Sequence, residues 1–219
     1  MGGILARRLV GGTQRSAAIR RSVAASLLVG VLALFAAGCH SVPPVDTKPL
    51  DAAGLTYDSI KQLQALDITT AEVAEVAAAR QGGFSDADCI AVFKIYRDRK
   101  QPFDAGDAIA GLVRAQMSED TILQLAKMNE LGFSSGEFQA MRLAGLSDAI
   151  VLEVAHRRAA NQPVLSGASL AGLRNVGVHE ATLLELARRG VPDSKASAII
   201  AYRRHGATDA EILKHFSGS

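Results

Sequence analysis

From Thr56 onward, short runs with apolar residues at helical spacing alternate with one repeated piece of punctuation. It reads glycine, apolar or small residue, cap, polar residue, as in Gly83-Phe84-Ser85-Asp86 and Gly145-Leu146-Ser147-Asp148. Further copies start at Gly132, Gly177, Gly190 and Gly206, and looser ones at Asp67 and Gln116. Each position has a mechanical task. The glycine supplies the left-handed residue that ends a helix. The Ser or Thr caps the next helix by accepting a bond from a free amide. The acid then stands where the helix dipole favours negative charge.

Neighbouring positions agree with this reading. Thr69/Glu72, Ser134/Glu137 and Thr208/Glu211 have capping-box spacing. Ile68/Val73, Phe84/Cys89, Met117/Ile122, Phe133/Phe138, Leu146/Val151, Val178/Leu183 and Ala207/Ile212 have the spacing of hydrophobic staples. In the copy at Gly190, Pro192 fills the cap slot, so the cap is expected at Asp193. Successive origins lie 13–16 or 32–33 residues apart, and each longer gap holds a further helix, from Phe103 and from Leu165. The pattern predicts an all-α array or short superhelix of about eleven capped helices over 56–217, without a sheet. Origins about 61 residues apart also correspond (Gly83 with Gly145, Gln116 with Gly177, Gly145 with Gly206), which suggests internal duplication.

Composition adds that the core is mostly Ala, Leu, Ile and Val, since aromatics make up 5% and Trp is absent. Charge is uneven. Residues 1–38 hold five of the 24 basic residues and no acid, so the rest carries 19 basic against 22 acidic side chains, a net of −3. A mildly acidic body speaks against nucleic acid as a partner, because phosphate binding needs clustered Lys and Arg.

The N-terminal stretch has the form of an export signal. Arg20-Arg21 is followed by sixteen uncharged residues, Val23–Gly38, fewer than the ~20 that span a bilayer. The run ends Ala36-Ala37-Gly38-Cys39, which resembles the lipobox of bacterial lipoproteins, with Ala36 where that family usually has Leu. The resemblance implies cleavage after residue 38, acyl chains on Cys39, and a membrane-anchored protein of the cell envelope. His40 after the cysteine implies the outer membrane, facing the periplasm. Residues 39–55, with Pro43, Pro44 and Pro49, read as a linker between lipid and body.

Candidate chemistry is sparse. His179-Glu180 opens a zinc-protease helix motif, but Thr182 and Leu183 stand where the second histidine is needed. Gly167–Ala171 lacks the last glycine of a nucleophile elbow. No phosphate-binding loop and no cofactor motif occurs. Leu170–Val191 has a distant resemblance to a helix-hairpin-helix DNA module, with Asn175-Val176-Gly177 replacing its glycine turn. Cys89 reads as a small buried hydrophobe. The arginine pairs Arg157-Arg158, Arg188-Arg189 and Arg203-Arg204 each close a helix, where cations offset the dipole. If they share a face, they would bind an anionic partner such as a lipid headgroup, a glycan carboxylate or an acidic protein. The expectation is therefore a lipid-anchored, non-enzymatic helical module that binds or scaffolds an envelope partner. The alternative is an envelope enzyme or accessory using scattered residues such as Asp148, Glu153 and His156.

Overall fold

The structure is a computed structural model and describes residues 45–216. The expected signal segment 1–38 and the lipid site Cys39 lie outside the described residues. Twelve α-helices and no strand occur among the described residues. They are α1 (Lys48–Ala52), α2 (Tyr57–Ala65), α3 (Thr70–Gln81), α4 (Asp86–Asp98), α5 (Gly106–Arg114) and α6 (Glu119–Met128). Then come α7 (Ser135–Leu143), α8 (Asp148–Ala159), α9 (Gly167–Asn175), α10 (Glu180–Arg188), α11 (Ala196–Arg204) and α12 (Asp209–His215).

The eleven expected helices are α2–α12. The twelfth, α1, corrects the reading of 39–55 as linker throughout: Leu50 and Leu55 are buried, and Leu55 takes the staple position before the α2 cap Thr56. One short turn of helix held by two leucines shows no apolar period, so the folded body begins earlier than the pattern indicates.

Helices of 5–13 residues are too short to stand alone in water and must bury a face on neighbours. Each packs on the helix two places along the chain: α1, α3, α5, α7, α9 and α11 form one row, and α2, α4, α6, α8, α10 and α12 the other. The result is a solenoid of six helical hairpins. Aliphatic side chains and Phe84, Phe93, Phe103 and Phe138 fill the space between the rows. The α3–α5 contact is especially close, since a Cβ on Gly106 would lie 2.0 Å from the Glu75 carbonyl oxygen. Gly167, 61 residues on, plays the same part between α9 and α7, where a Cβ would lie 2.6 Å from Met141 Cγ.

The two edges of the solenoid differ. All six turns from an odd to an even helix contain four residues, for example 82–85 and 144–147. A residue with positive φ (Gly54, Gly83, Gln116, Gly145, Gly177 or Gly206) is followed in each by the staple residue and the cap position. Connections from an even to an odd helix run from four to seven residues and use Asp67, Lys100, Asn129, Asn161 and Gly190 as the positive-φ residue.

Side chains from one hairpin satisfy the backbone at the uniform edge of the hairpin before it. Arg142 Nη1 donates to Leu146 O in its own turn at 2.6 Å, and Nη2 to Gln116 O in the preceding one at 2.8 Å. Its Nε pairs with Asp148 Oδ1 at 3.0 Å, and Asp148 Oδ2 accepts from the Ser118 amide at 2.9 Å. Arg80 and Asp86 make the same clamp on Gly54 and Thr56, and Arg203 and Asp209 make it on Gly177 and His179. The clamps thus join hairpins one and two, three and four, five and six. At the variable edge, carboxylates join the pairs that the clamps leave out. Glu72 accepts from Phe103 N and Glu75 from Gly106 N, while Glu137 accepts from Gly167 N. This alternation is the physical content of the 61-residue correspondence.

Three local expectations are corrected. Gly132 does not have positive φ; Asn129 ends α6 instead, Ser134 makes no capping bond, and Glu137 is drawn to Arg158 and Gly167 rather than to a capping box. The six other staples are buried, and both Thr69/Glu72 and Thr208/Glu211 form complete boxes. Asp193 opens a 3-10 turn and accepts from Ser166 N instead of capping α11.

Ser118 caps α6 through its side chain, whereas the Ser147 hydroxyl makes no cap bond. Ser118→Ala is therefore expected to cost about 1 kcal/mol and Ser147→Ala less than half of that by denaturant unfolding. Equal losses would show that the cap bonds do not set helix stability here. Arg142→Ala, which leaves the Gln116 carbonyl and Asp148 Oδ1 without their partner, should cost about 1–3 kcal/mol, against ~0.5 or less for the exposed Arg188→Ala.

Candidate functional site

The arginine pairs do not form one face. Arg157, Arg158, Arg188 and Arg189 end even helices at the variable edge, while Arg203 and Arg204 end α11 at the uniform edge. Four of the six are engaged inside the fold. Arg157 pairs with Glu153 at 3.0 Å, and Arg158 with Glu137 at 2.6 Å. Arg189 holds Glu185 and the Leu213 carbonyl, and Arg203 is a clamp residue. Of the six, Arg188 and Arg204 are exposed and have no carboxylate partner among the described residues, and they lie at opposite edges. The six-arginine binding face is corrected accordingly: four of these cations serve the helix ends.

The other motif residues have equally local tasks. Asp148 belongs to a clamp, Glu153 pairs with Arg157, and His156 is exposed, so the trio named for an enzyme is not assembled. His179 Nδ1 lies 3.0 Å from Asp209, and Thr182 donates to the same carboxylate at 2.7 Å. Cys89 is buried, and burial pushes its thiol up to about 12, far from a reactive thiolate.

What remains is the variable edge, where connection length and side chains change from hairpin to hairpin, as they do at the binding faces of repeat proteins. Its most unusual residue is Phe133, in the α6–α7 connection, with a relative exposure of 107%. The cause is local. Asn129 ends α6, Leu131 turns into the core, and the residues before α7 are left as a projecting loop. Phe133 therefore stands in water where an apolar staple was expected.

Beside it is an open cavity of about 380 Å³ lined by Tyr96, Gln101, Pro102 and Asp104 on one side and Asn129, Gly132 and Phe133 on the other. The floor is rigid. Phe103 packs edge-on against Phe93 and Tyr96, with ring centroids 5.9 and 5.2 Å apart. Burial raises the Tyr96 hydroxyl above the ordinary tyrosine range, with the Asp104 charge adding to this. Arg99 supports the wall by donating to Ala126 O and Lys127 O at the end of α6 and to Asn129 Oδ1. Glu72 anchors the base: Arg97 Nη1 and Nη2 reach it at 2.7 and 2.5 Å, and it takes the Phe103 and Thr69 amides. Burial alone would raise this carboxyl, but those bonds outweigh it and hold it at about 2.

A further depression of about 420 Å³ between α2 and α4 uses Asp86, which a clamp already occupies. Among the described residues no three His, Cys, Asp or Glu side chains converge as metal ligands, and no helix is long and apolar enough to cross a membrane.

The value of about 2 at Glu72 predicts the direction of an acid response. A carboxyl depressed below its unfolded value of about 4.3 contributes stability above that pH and loses it as pH falls towards 2. Glu72→Gln should therefore flatten the fall in melting temperature between about pH 4.3 and 2. An unchanged slope would show that Glu72 is not the hub of this region.

No protein-family model, no curated protein and no solved structure matches the chain.

Proposed function

We propose that this chain is a lipid-anchored helical module of the cell envelope, held by acyl chains on Cys39 at the outer membrane and facing the periplasm. Its variable edge binds a partner. The observation that carries the binding reading is Phe133, a large apolar side chain wholly in water beside a walled cavity. Exposed aromatics on a rigid support supply large contact area at little ordering cost, which is why they anchor interfaces. The anchor reading is supported by the basic, apolar and small-residue order of 1–39. Arg188 lies at the same edge and supplies the cation for an anionic group on the partner.

Two experiments address the two halves. A photo-crosslinking residue fits at Gly132, where a Cβ would meet nothing within 4 Å. In intact envelopes it should give a discrete crosslinked species that disappears in Phe133→Ala, a change that leaves the melting temperature nearly constant. Crosslinking indifferent to Phe133 would refute the edge as the binding site. Separately, Cys39→Ser should accumulate unprocessed precursor and abolish partitioning into detergent. Normal processing of that variant would end the lipoprotein reading.

A further inference from the structure

The clamp residue lies three positions before the turn residue: Arg80 before Gly83, Arg142 before Gly145, Arg203 before Gly206. Arg174 occupies the same position before Gly177, although its ion pair with Glu180 is longer, at 3.5 Å. The α5–α6 turn differs. Three positions before Gln116 stands Val113, and its methyl occupies the arginine's place. Val113 Cγ1 would lie 3.4 Å from a Cβ on Gly83, much as the Arg174 and Arg203 head groups lie 3.5 and 3.7 Å from the corresponding points on Gly145 and Gly177.

The acid of this turn has kept its task without the cation. Glu119 Oε1 accepts from the Ser85 amide at 3.0 Å, as Asp148 accepts from Ser118 and Asp209 from His179. A second carboxyl is present instead of the arginine. Asp88 Oδ2 accepts from the Ser85 hydroxyl at 2.5 Å, so the Asp88 and Glu119 carboxyls bond the same residue. Two carboxylates thus meet on one serine at the α5–α6 turn, the only odd-to-even turn among the described residues that follows an arginine-equipped one and itself has no arginine three residues before its turn residue.

Surrounding charges do not supply the missing cation. Arg80 is paired with Asp86 on the α4 side, and Arg142 with Asp148 on the α8 side. Arg114, on α5, donates to its own helix at Ala110 O. Asp120 is exposed, and the buried Cys89 thiol stays protonated.

We infer that the contact between the second and third hairpins, at the starts of α4 and α6, is a proton-sensitive seam, in which one proton shared by Asp88 and Glu119 replaces the arginine of the other clamps. At neutral pH two like charges oppose the closed contact. As pH falls, a single proton turns the repulsion into a carboxyl–carboxylate hydrogen bond and the seam tightens. The hydrogen bond to Asp88 and burial both raise the Glu119 carboxyl above its ordinary range. A group raised in this way is protonated in the fold at a pH where the unfolded chain, with a value of about 4.3, is still ionised. Its contribution to stability therefore grows as pH falls through the folded value and is absent at high pH. This sign is opposite to that of Glu72, so the two effects separate by variant. The variable edge of the same seam stays joined by Glu72, Glu75 and Arg99, which makes loosening one-sided.

The test uses the full chain and two readouts. Glu119→Gln retains an acceptor for Ser85 and removes the like charge, so it should melt a few degrees above wild type at about pH 7. That advantage should shrink as the pH is lowered towards about 5, because wild type gains the proton at a higher pH than an ordinary glutamate would. Carbon-detected titration should place the Glu119 carboxyl above the ordinary glutamate value of about 4.3, and Asp88→Asn should return it there. An advantage for Glu119→Gln that is the same at both pH values, a disadvantage at pH 7, or an ordinary titration of Glu119 in wild type would each overturn the inference.

Discussion

Every short helix leaves amides at its start and carbonyls at its end without internal partners, and the twelve such helices among the described residues multiply that problem. This protein answers it across hairpins. Arg142 and Asp148 together close their own turn, the Gln116 carbonyl and the Ser118 amide. Repetition of that clamp by Arg80/Asp86 and Arg203/Asp209 fixes how one hairpin lies on the next. The buried staples and aliphatic rows supply most of the burial, but apolar packing is non-directional. The clamp gives it register.

Because clamps alternate with the carboxylate locks of Glu72, Glu75 and Glu137, the mechanical unit is a pair of hairpins rather than one. The two kinds of lock lie at opposite edges. One edge is uniform, four residues per turn, and there the clamp arginines and aspartates are consumed by architecture. The other has connections of different lengths, and it is there that Phe133 and its cavity escape the pattern. Regularity and freedom to vary are thereby separated onto two sides of the same solenoid.

Much of the fold was legible because helix punctuation is local. A positive-φ residue, an apolar staple and a cap lie within four positions, so Gly83–Ser85 or Gly206–Thr208 announces itself. The staple at Phe133 misled because Leu131, two residues earlier, competes for the same core space and wins. The linker reading missed α1 because that short helix is held by packing on α3, a tertiary contact. Ser147 has the right residue in the right place, and its hydroxyl still makes no cap bond. Arg203 reads as a dipole partner or part of a binding face because its acceptor, the Gly177 carbonyl, lies 26 residues away. A signal was nevertheless present: arginine recurs three residues before the turn glycine at Arg80, Arg142, Arg174 and Arg203. Spacing alone exposes that regularity, though not the carbonyl it reaches.

The central claim is that hairpins are stitched by bonds from one turn to the cap amide of the turn before. Amide hydrogen exchange tests it directly, residue by residue, after correction for intrinsic rates. The amides of Thr56, Ser118 and His179 donate to the next hairpin's aspartate, whereas that of Ser147, at the same place in its turn, has no protein acceptor among the described residues. The account predicts strong protection for the first three and fast exchange at Ser147. Comparable exchange at all four would contradict it.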